Sequence, residues 1–386
     1  MRSKIWVGCL GALCSIGPIS IDMYLPAAAT LTVAFGSAPS HIALSIPSYL
    51  VGVLIGQLTH GFVSDLYGRK RPLYAGLVIY AGSSFACSCT QTVDWFIALR
   101  FLQGIGGSAG MVLARAMVHD RTDLQERART FSTLMLAASV APLVAPLVGA
   151  GLLEVGGWRA IFWSMGTVGL ALLALSVAMP ETLPIDRRAL TGSDRAPYGW
   201  REILYDRQFI TWACTSGFLQ GGMFAYFAMS ARVFVDAYGL SSGLFSATFA
   251  ANSLGMVIAA HVNGLLVLRL ALKRVAKSAL WVSLVPVLAL LALYERPPTF
   301  LLLGSVFVYL SMIGFVAPNS AAIALARHAE RAGFASALLG TLLFGIGAAS
   351  AAIAAHVMPW APERSLMLAM LGCSALAILC TYMTPR

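Results

Sequence analysis

Residues 61–72 read GFVSDLYGRKRP and form a short charged stretch between two apolar runs, 42–63 and 73–90. Each run is about as long as the roughly 20 residues that an α-helix needs to cross a hydrocarbon layer about 30 Å thick. Gly68 can adopt the positive φ of a tight reversal, and Pro72 suits the first turn of a helix. The stretch therefore predicts two membrane helices joined by a tight, charged turn.

The rest of the 386-residue chain repeats this pattern of apolar runs and short polar loops. Charged residues make up only 11% of it, against roughly 25% in an average soluble domain. Twelve runs are predicted to be membrane helices: 5–26, 42–63, 73–90, 95–117, 129–153, 158–180, 208–235, 243–266, 275–294, 299–323, 332–358 and 364–383. The longest polar stretch, 181–205, is expected to link two halves, 1–180 and 206–386. We predict an all-α membrane protein with twelve transmembrane helices in two pseudo-symmetric six-helix halves.

The net charge of +10 is concentrated in alternate loops. The opposite loops hold little basic charge beyond Arg159, Arg296 and Arg364. Cytoplasmic loops of membrane proteins carry an excess of Lys and Arg, so both termini are predicted to be cytoplasmic. The charge therefore indicates topology and not binding to nucleic acid. The basic residues on the predicted cytoplasmic side are Arg2, Lys4, Arg69, Lys70, Arg71, Arg121, Arg127, Arg129, Arg187, Arg188, Arg195, Arg201, Arg207, Arg269, Lys273, Arg274, Lys277, Arg327, Arg331 and Arg386.

Asp65 is the acid of the opening stretch, one helical turn after Gly61. It falls at the C-terminal end of the predicted second span, where the helix dipole disfavours a carboxylate. An ordinary cytoplasmic loop would need only its three basic residues. Asp65 therefore requires a partner, and this requirement favours a loop with a functional role over an ordinary cytoplasmic loop.

The order G-x-x-x-D-x-x-G-R-K-R-P resembles the signature loop of the major facilitator superfamily. Within that superfamily, SIDMYLP at 20–26 and Ala-Pro-Asn at 317–319 resemble the Bcr/CflA group of drug:proton antiporters. The resemblance covers essentially the whole chain. It implies a major facilitator fold and proton-driven export of hydrophobic or amphiphilic antibacterial compounds by alternating access.

The same resemblance assigns conformational gating to the charged loop. Asp65, Arg69 and Asp120 are expected to cluster as a lock between helices, and Asp65 is expected to approach residues 333 and 334. The predicted fifth span adds Pro142 and Pro146, four residues apart, which kink one face of a helix. This region resembles the antiporter motif of proton-driven exporters, with alanine at 141 where glycine is usual; a purely structural kink is the alternative. The gating set is Gly61, Asp65, Gly68, Arg69, Asp120, Pro142 and Pro146.

Asp22 is the only carboxylate placed well inside a predicted span. A carboxylate surrounded by apolar side chains must be paired, hydrated or neutral, and a proton carrier needs that dependence on its surroundings. Pro18 and Pro26 stand four residues to either side and are expected on the same helical face. Some relatives of the suspected group carry a second acid at position 14, where this chain has cysteine.

Arg100 lies a few residues inside the predicted fourth span, in ALRFLQG at 98–104. A buried arginine must pair, face water or snorkel to the membrane surface. The segment is similar to the second motif of the superfamily, whose arginine faces the central cavity. Asp22 and Arg100 are therefore the candidate proton-coupling residues, and snorkelling of Arg100 is the alternative.

Aromatic side chains offer a pocket wide apolar faces for planar or cationic compounds. The candidate substrate-cavity residues are Tyr24, Tyr49, Gln103, Phe224 and Tyr226. For each aromatic residue taken alone, helix packing or contact with lipid is the more common role.

The chain is therefore predicted to be a proton-coupled antiporter of small amphiphilic drugs in a bacterial inner membrane. It is also predicted to be a monomer, because a transporter that carries both halves in one chain can function without a partner. No G-x-x-x-x-G-K-[ST] phosphate loop, H-E-x-x-H sequence or spaced metal-ligand cluster occurs, so neither catalysis nor a cofactor or metal is expected. Two alternatives stay open. One is a proton-coupled transporter of a single metabolite, such as a sugar or amino-acid derivative, and the other is a non-transporting sensor or intramembrane enzyme.

Overall fold

The computed structural model describes residues 3–121, 124–183, 200–328, 332–357 and 362–383. Regular structure within these ranges is helical. The α-helices are α1 (Ser3–Asp22), α2 (Ala28–Phe35), α3 (Pro39–Ala43), α4 (Ser45–Tyr67), α5 (Lys70–Cys89), α6 (Val93–Arg121), α7 (Leu124–Val177), α8 (Trp200–Tyr205), α9 (Arg207–Ser230), α10 (Ser242–Leu266), α11 (Leu272–Leu293), α12 (Thr299–Leu325), α13 (Ala332–Val357) and α14 (Pro362–Tyr382).

Eleven stretches of the described chain are long and apolar enough to cross a membrane. One of them, Val140–Val177, belongs to α7, which has 54 residues and is far longer than a bilayer requires. Gly157 interrupts α7 with φ 67° and ψ −174°, so two helices meet there. Counted as two, α7 completes the twelve predicted spans and confirms the all-α membrane fold.

The first span differs from its prediction of one helix over 5–26. The α-helix stops at Asp22, a 3₁₀ turn occupies Leu25–Ala27, and α2 then extends the span to Phe35. Pro26 has no amide hydrogen and disfavours helical geometry in the residue before it, which explains the interruption. The expectation that Pro26 shares a helical face with Asp22 is therefore wrong, because no continuous α-helix joins them.

The chain divides into two compact units: Met1–Ser37 with Ser48–Pro197, and Ala38–Pro47 with Tyr198–Arg386. Of the predicted linker 181–205, residues 184–199 lie outside the described residues.

In the first unit, α6 packs closely against α1 and α5. A Cβ on Gly106 would lie 2.4 Å from the amide nitrogen of Tyr80, and one on Gly110 would lie 2.7 Å from the carbonyl oxygen of Leu13. Side chains of any size are excluded at both places. Small residues at such positions let helix backbones approach in lipid, where burial of apolar surface gives little driving force.

In the second unit, α9 packs against α12, α13 and α14. Its buried Phe209 and Trp212 join a core with Ile323 and Leu339. Farther along the unit, Asn263 of α10 and Asn319 of α12 exchange two amide hydrogen bonds of 3.2 and 2.7 Å. Paired amides satisfy each other inside an apolar unit, so the Ala-Pro-Asn stretch at 317–319 fastens α12 to α10.

Candidate functional site

Asp22 is the last residue of α1 and is only 4% exposed. Among the residues that the structure describes, its carboxylate has neither a hydrogen-bond donor nor an ion-pair partner. The C-terminal end of a helix carries partial negative charge and opposes a carboxylate placed there. Interrupted membrane helices commonly form the ion and substrate sites of transporters, because their free backbone groups face a ligand. Asp22 stands at such an interruption.

Arg100 of α6 is fully buried. Its Nη1 donates to the side-chain oxygen of Gln103, and its Nη2 donates to the main-chain oxygen of Ser20 at 3.1 Å. Within the described part of the chain no carboxylate reaches ion-pair distance of this guanidinium, and its Nε has no acceptor. The snorkelling alternative does not hold, because the charge lies inside the unit.

Aromatic rings surround the Arg100 guanidinium. Its Cζ lies 4.6 Å from the ring centroid of Tyr49, 5.0 Å from that of Tyr24 and 5.8 Å from that of Phe162. The negative faces of the rings attract a cation, and the attraction strengthens where water is absent. Tyr24 and Tyr49, predicted as cavity residues, thus enclose the arginine.

A polar chain extends from Arg100 into the neighbouring helices. Gln103 donates to Ser84 Oγ at 2.6 Å, and its Nε2 also lies 3.5 Å from the sulfur of Met165. Ser20 Oγ and Tyr80 OH form a further hydrogen bond of 2.8 Å. Sequence reasoning missed Ser84, Tyr80 and Phe162, since serine and aromatic residues in apolar spans carry no signal of their own.

The proline-containing region of α7 reaches the interruption in α1. Pro142 and Pro146 lie inside α7, and Gly149 follows within one turn. A Cβ on Gly149 would lie 2.1 Å from the main-chain oxygen of Met23, the residue after Asp22. The backbone of α7 therefore contacts the chain directly beside Asp22, so movement of this part of α7 would reach the carboxylate.

The predicted cavity residues of the second unit, Phe224 and Tyr226, are 5% and 0% exposed. Tyr226 stacks on Phe249 with centroids 5.0 Å apart, and its hydroxyl accepts a 3.2 Å hydrogen bond from Asn252. Phe224 packs against Phe344 at 6.1 Å. In this structure the two residues are packed inside their own unit.

The charged loop between α4 and α5 forms an ion cluster. Arg69 Nη1 lies 2.6 Å from Asp65 Oδ1, and Arg69 Nε lies 2.9 Å from Asp120 Oδ2. Gly68 has φ 88°, as the tight reversal requires. Burial lowers the pKa of Arg69, but the two carboxylates outweigh it and hold the pKa above its usual value. The predicted grouping of Asp65, Arg69 and Asp120 is confirmed; the approach of Asp65 to residues 333 and 334 involves side chains outside the described ones.

Glu181, which sequence reasoning assigned only to the linker, belongs to the same cluster. Its Oε1 accepts from the amides of Arg69, Thr182 and Leu183 at 2.9 to 3.1 Å, and its Oε2 accepts from the amide of Lys70 at 3.1 Å. Burial raises the pKa of the Glu181 carboxyl, but these amides outweigh that effect and hold it below its ordinary value. The carboxylate thus caps the N-terminus of α5.

A twelve-span helical chain with buried charges in its spans has the features of a membrane transporter. The family model of the Major Facilitator Superfamily matches residues 9–352. The chain belongs to this superfamily, whose members are transporters of small molecules and not enzymes. It is a multi-pass membrane protein.

Comparison with individual proteins gives three further likenesses. The chain is 35% identical to the uncharacterized MFS-type transporter YdgK of Bacillus subtilis, over 88% of this chain and 85% of that protein. It is 28% identical to the bicyclomycin resistance protein homolog of Haemophilus influenzae, over 98% and 95% respectively. Among solved structures, a D-xylose–proton symporter superposes with a TM-score of 0.77 at 16% identity, covering 98% of this chain and 97% of the other. At that identity the symporter indicates the fold alone.

Proposed function

We propose that this protein is a proton-coupled antiporter that exports small amphiphilic drugs or antibiotics across a bacterial inner membrane. The likeness over nearly the full length to a bicyclomycin resistance protein homolog supports the substrate class. The loop charges support an orientation with both termini in the cytoplasm. The two six-helix halves, 1–180 and 206–386, alternate access in a monomer.

The observation that carries the proposal is the Asp22 carboxylate at the interruption of α1, which has no ion-pair or hydrogen-bond partner among the described residues. Two residues earlier, the main-chain oxygen of Ser20 accepts from Arg100, so the acid and the cation are held by the same segment of chain. When Asp22 is protonated, it is neutral and suits its apolar surroundings. When it is ionised, the unused Nε of Arg100 is the donor that a shift of the interrupted segment can bring to it.

Exchange of substrate for a proton follows because the Asp22 carboxyl can be either protonated or ionised. Binding of substrate near Tyr24, Tyr49 and Gln103 favours loss of the Asp22 proton toward the cytoplasm, and release of substrate outside allows protonation again. The gating set, which includes the Arg69 cluster, Pro142 and Pro146, controls which of the two access states of the transporter is stable.

The test uses everted membrane vesicles that contain wild type, Asp22→Asn or Asp94→Asn. Asp94 is the matched control, because it lies in the first turn of α6 near the membrane surface. Wild type and Asp94→Asn are expected to release protons from acidified vesicles when substrate from a panel of antibiotics and dyes is added. Asp22→Asn should not. Normal exchange by Asp22→Asn would refute the coupling role, and proton-linked movement of a single sugar or amino-acid derivative alone would refute the drug class.

The orientation of the chain in the membrane is tested separately, in a variant of the protein in which the exposed Cys89 is replaced by serine. Thiols introduced by Arg269→Cys and Arg296→Cys lie in successive loops that flank α11. In intact cells a membrane-impermeant maleimide should label the second and spare the first. The reverse result would invert the proposed topology.

A further inference from the structure

His60 of α4 is a buried imidazole to which the proposed cycle assigns no role. It lies inside a candidate membrane span, Pro39–Tyr67, seven residues before the end of α4, which is about 10 Å along the helix. The residue is only 8% exposed. Histidine is the side chain that most readily changes charge near neutral pH, so a histidine inside a span is a functional candidate.

Hydrogen bonds determine which nitrogen of His60 can take up a proton. Nδ1 lies 2.7 Å from the main-chain oxygen of Gly56 and 3.3 Å from Ser108 Oγ. A carbonyl oxygen only accepts, so Nδ1 carries the hydrogen and donates it. Ser108 Oγ donates its own hydrogen to the main-chain oxygen of Ile105 at 2.7 Å. In the neutral ring Nε2 is therefore the basic atom, and no donor among the described residues is bonded to it.

The His60 ring lies where three helices pack closely. A Cβ on Gly76 of α5 would lie 3.3 Å from Nε2 and 2.3 Å from the Cβ of Ala109 in α6. A Cβ on Gly56 of α4 would lie 2.2 Å from Ser108 Oγ. A protonated Nε2 would need an acceptor or water at this place, since an unpaired cation is costly in an apolar layer. The packed arrangement therefore suits the neutral ring.

One face of α4 connects His60 with the two charged sites of the first unit. Tyr49, His60 and Ser64 follow spacings of eleven and four residues, so they share that face. Tyr49 places its ring centroid 4.6 Å from the Cζ of Arg100. Ser64 Oγ accepts a 2.7 Å hydrogen bond from Nη1 of Arg69, one helical turn from His60. A proton gained by His60 would add a positive charge between two arginines.

No carboxylate is available to balance that charge. Among the described residues, no charged side chain forms a hydrogen bond or an ion pair with the His60 ring. Asp65, the nearest acid along α4, is already paired with Arg69 at 2.6 Å. The nearest titratable side chains in sequence along the three helices are Asp65 on α4, Tyr74 and Tyr80 on α5, and Arg100 and Arg115 on α6.

We propose that His60 is a second proton-binding residue of the transport cycle, in addition to Asp22. Nε2 is neutral while the ring is packed against Gly76, and it takes up a proton when this contact opens and water reaches it. In a proton-driven exporter the residue is loaded in the outward-open state and unloaded to the cytoplasm in the inward-open state. This inference rests on the proposed function and adds one proton to each cycle.

The first experiment follows the charge of the His60 ring directly. Protein labelled with ¹⁵N-histidine is titrated in nanodiscs from about pH 8 to about pH 5, the range in which histidine changes charge. The signal that is missing from His60→Asn identifies the residue. Asparagine keeps an N–H for the Gly56 carbonyl but has no basic nitrogen. We expect the ring to pass from neutral to protonated, and a ring that keeps one charge state throughout would overturn the proposal.

The second experiment counts protons in proteoliposomes with a difference of one pH unit and no membrane potential. Chloramphenicol, an uncharged amphiphilic antibiotic, is accumulated until net uptake stops. Each exchanged proton can multiply the final concentration ratio by about ten, because one pH unit and a tenfold ratio represent the same free energy. Wild type should therefore reach a ratio about tenfold higher than His60→Asn. His356→Asn, which changes an exposed histidine of α13, is the control and should equal wild type.

The same final ratio in wild type and His60→Asn would refute the role of His60 and leave exchange through Asp22 intact. If wild type shows no uptake driven by the pH difference, the NMR titration still decides whether His60 binds a proton, so the two proposals can fail separately. If His60→Asn does not fold, His60→Gln replaces it. Should neither fold, the buried ring is identified in wild type as the histidine whose N–H exchanges most slowly with water.

Discussion

Two buried arginines of the described part of the first unit, Arg69 and Arg100, are stabilised by different means. Arg69 lies in a loop, is 9% exposed, and contacts two carboxylates at 2.6 and 2.9 Å. Arg100 lies in a span, is fully buried, and has an amide, a carbonyl and three aromatic rings around it. The first charge is neutralised by ions, and the second is dispersed over dipoles and ring faces.

This difference matters for function. A cation that is already paired with two anions has little attraction left for a third, so the Arg69 cluster is suited to holding helices together. A cation held only by dipoles keeps a net charge that a nearby acid or a ligand can respond to. Arg100 and its surroundings are therefore suited to coupling, and the following experiments separate the two types of site.

The largest expected effect is the difference in transport rate between lysine substitutions at Arg100 and at Arg69. Arg100→Lys should reduce proton-driven transport roughly 100-fold, because a lysine cannot reach Gln103, Ser20 and the rings together. Arg69→Lys should reduce it only severalfold, since an ammonium can still pair with Asp65 or Asp120. Transport into everted vesicles, normalised to protein amount, measures both. Equal losses in the two variants would remove the distinction.

The second effect concerns the contact between α7 and the interruption in α1. Gly149→Ala should destabilise the protein by about 3 kcal/mol, because the new methyl group meets the main-chain oxygen of Met23. Gly151→Ala is the matched control, two residues along the same helix with no neighbouring atom within 4 Å. Thermal unfolding of both variants in detergent checks this. A Gly149→Ala protein as stable as Gly151→Ala would show that the contact is loose.

A third, smaller effect tests the loop cluster. Asp120→Asn should lower the unfolding free energy by about 2 kcal/mol, because one buried carboxylate of the Arg69 network is lost. Asp236→Asn provides the comparison, since its pair with Arg232 at 3.3 Å is largely exposed and should contribute less than about 1 kcal/mol. Denaturant or thermal unfolding gives both numbers. The interpretation fails if the exposed pair matters as much as the buried one.

The smallest effect is a change in pH dependence at Glu181. Its pKa is lower in the folded protein than in the unfolded chain, so its stabilising contribution is present above the ordinary glutamate pKa. That contribution is lost as the pH falls through the folded-state pKa. Melting temperatures measured from neutral pH downward should therefore fall less steeply in Glu181→Gln than in wild type. Parallel curves for the two proteins would mean that the amide contacts contribute nothing.

Much of the architecture could be predicted from residue pattern alone. Spans of apolar residues, a glycine and a proline bounding the turn at 61–72, and alternate basic loops each act locally, through bilayer thickness and backbone geometry. For the same reason Asp65 could be recognised as needing a partner. Residues that are local in sequence, such as Asp65 and Arg69, were placed together correctly.

Contacts between distant segments could not be predicted in this way. The cap on α5 by Glu181 spans more than 100 residues, and so does the close approach of Gly149 in α7 to Met23, the residue after Asp22. The rings around Arg100 come from the turn after α1, from α4 and from α7, and their sequence neighbourhoods resemble ordinary packing positions.

The sequence by itself therefore determined the membrane class, the number of spans, the charged turn and the rarity of acids inside the spans, because these follow from the solvent and from nearest neighbours along the chain. Only the tertiary structure decided that Arg69 is paired with carboxylates, that Arg100 is held by dipoles and aromatic rings, and that Asp22 ends its helix without a partner among the described residues. Those outcomes depend on which distant groups pack within a few ångströms of one another, and hydrogen bonds and ion pairs fall off over that distance.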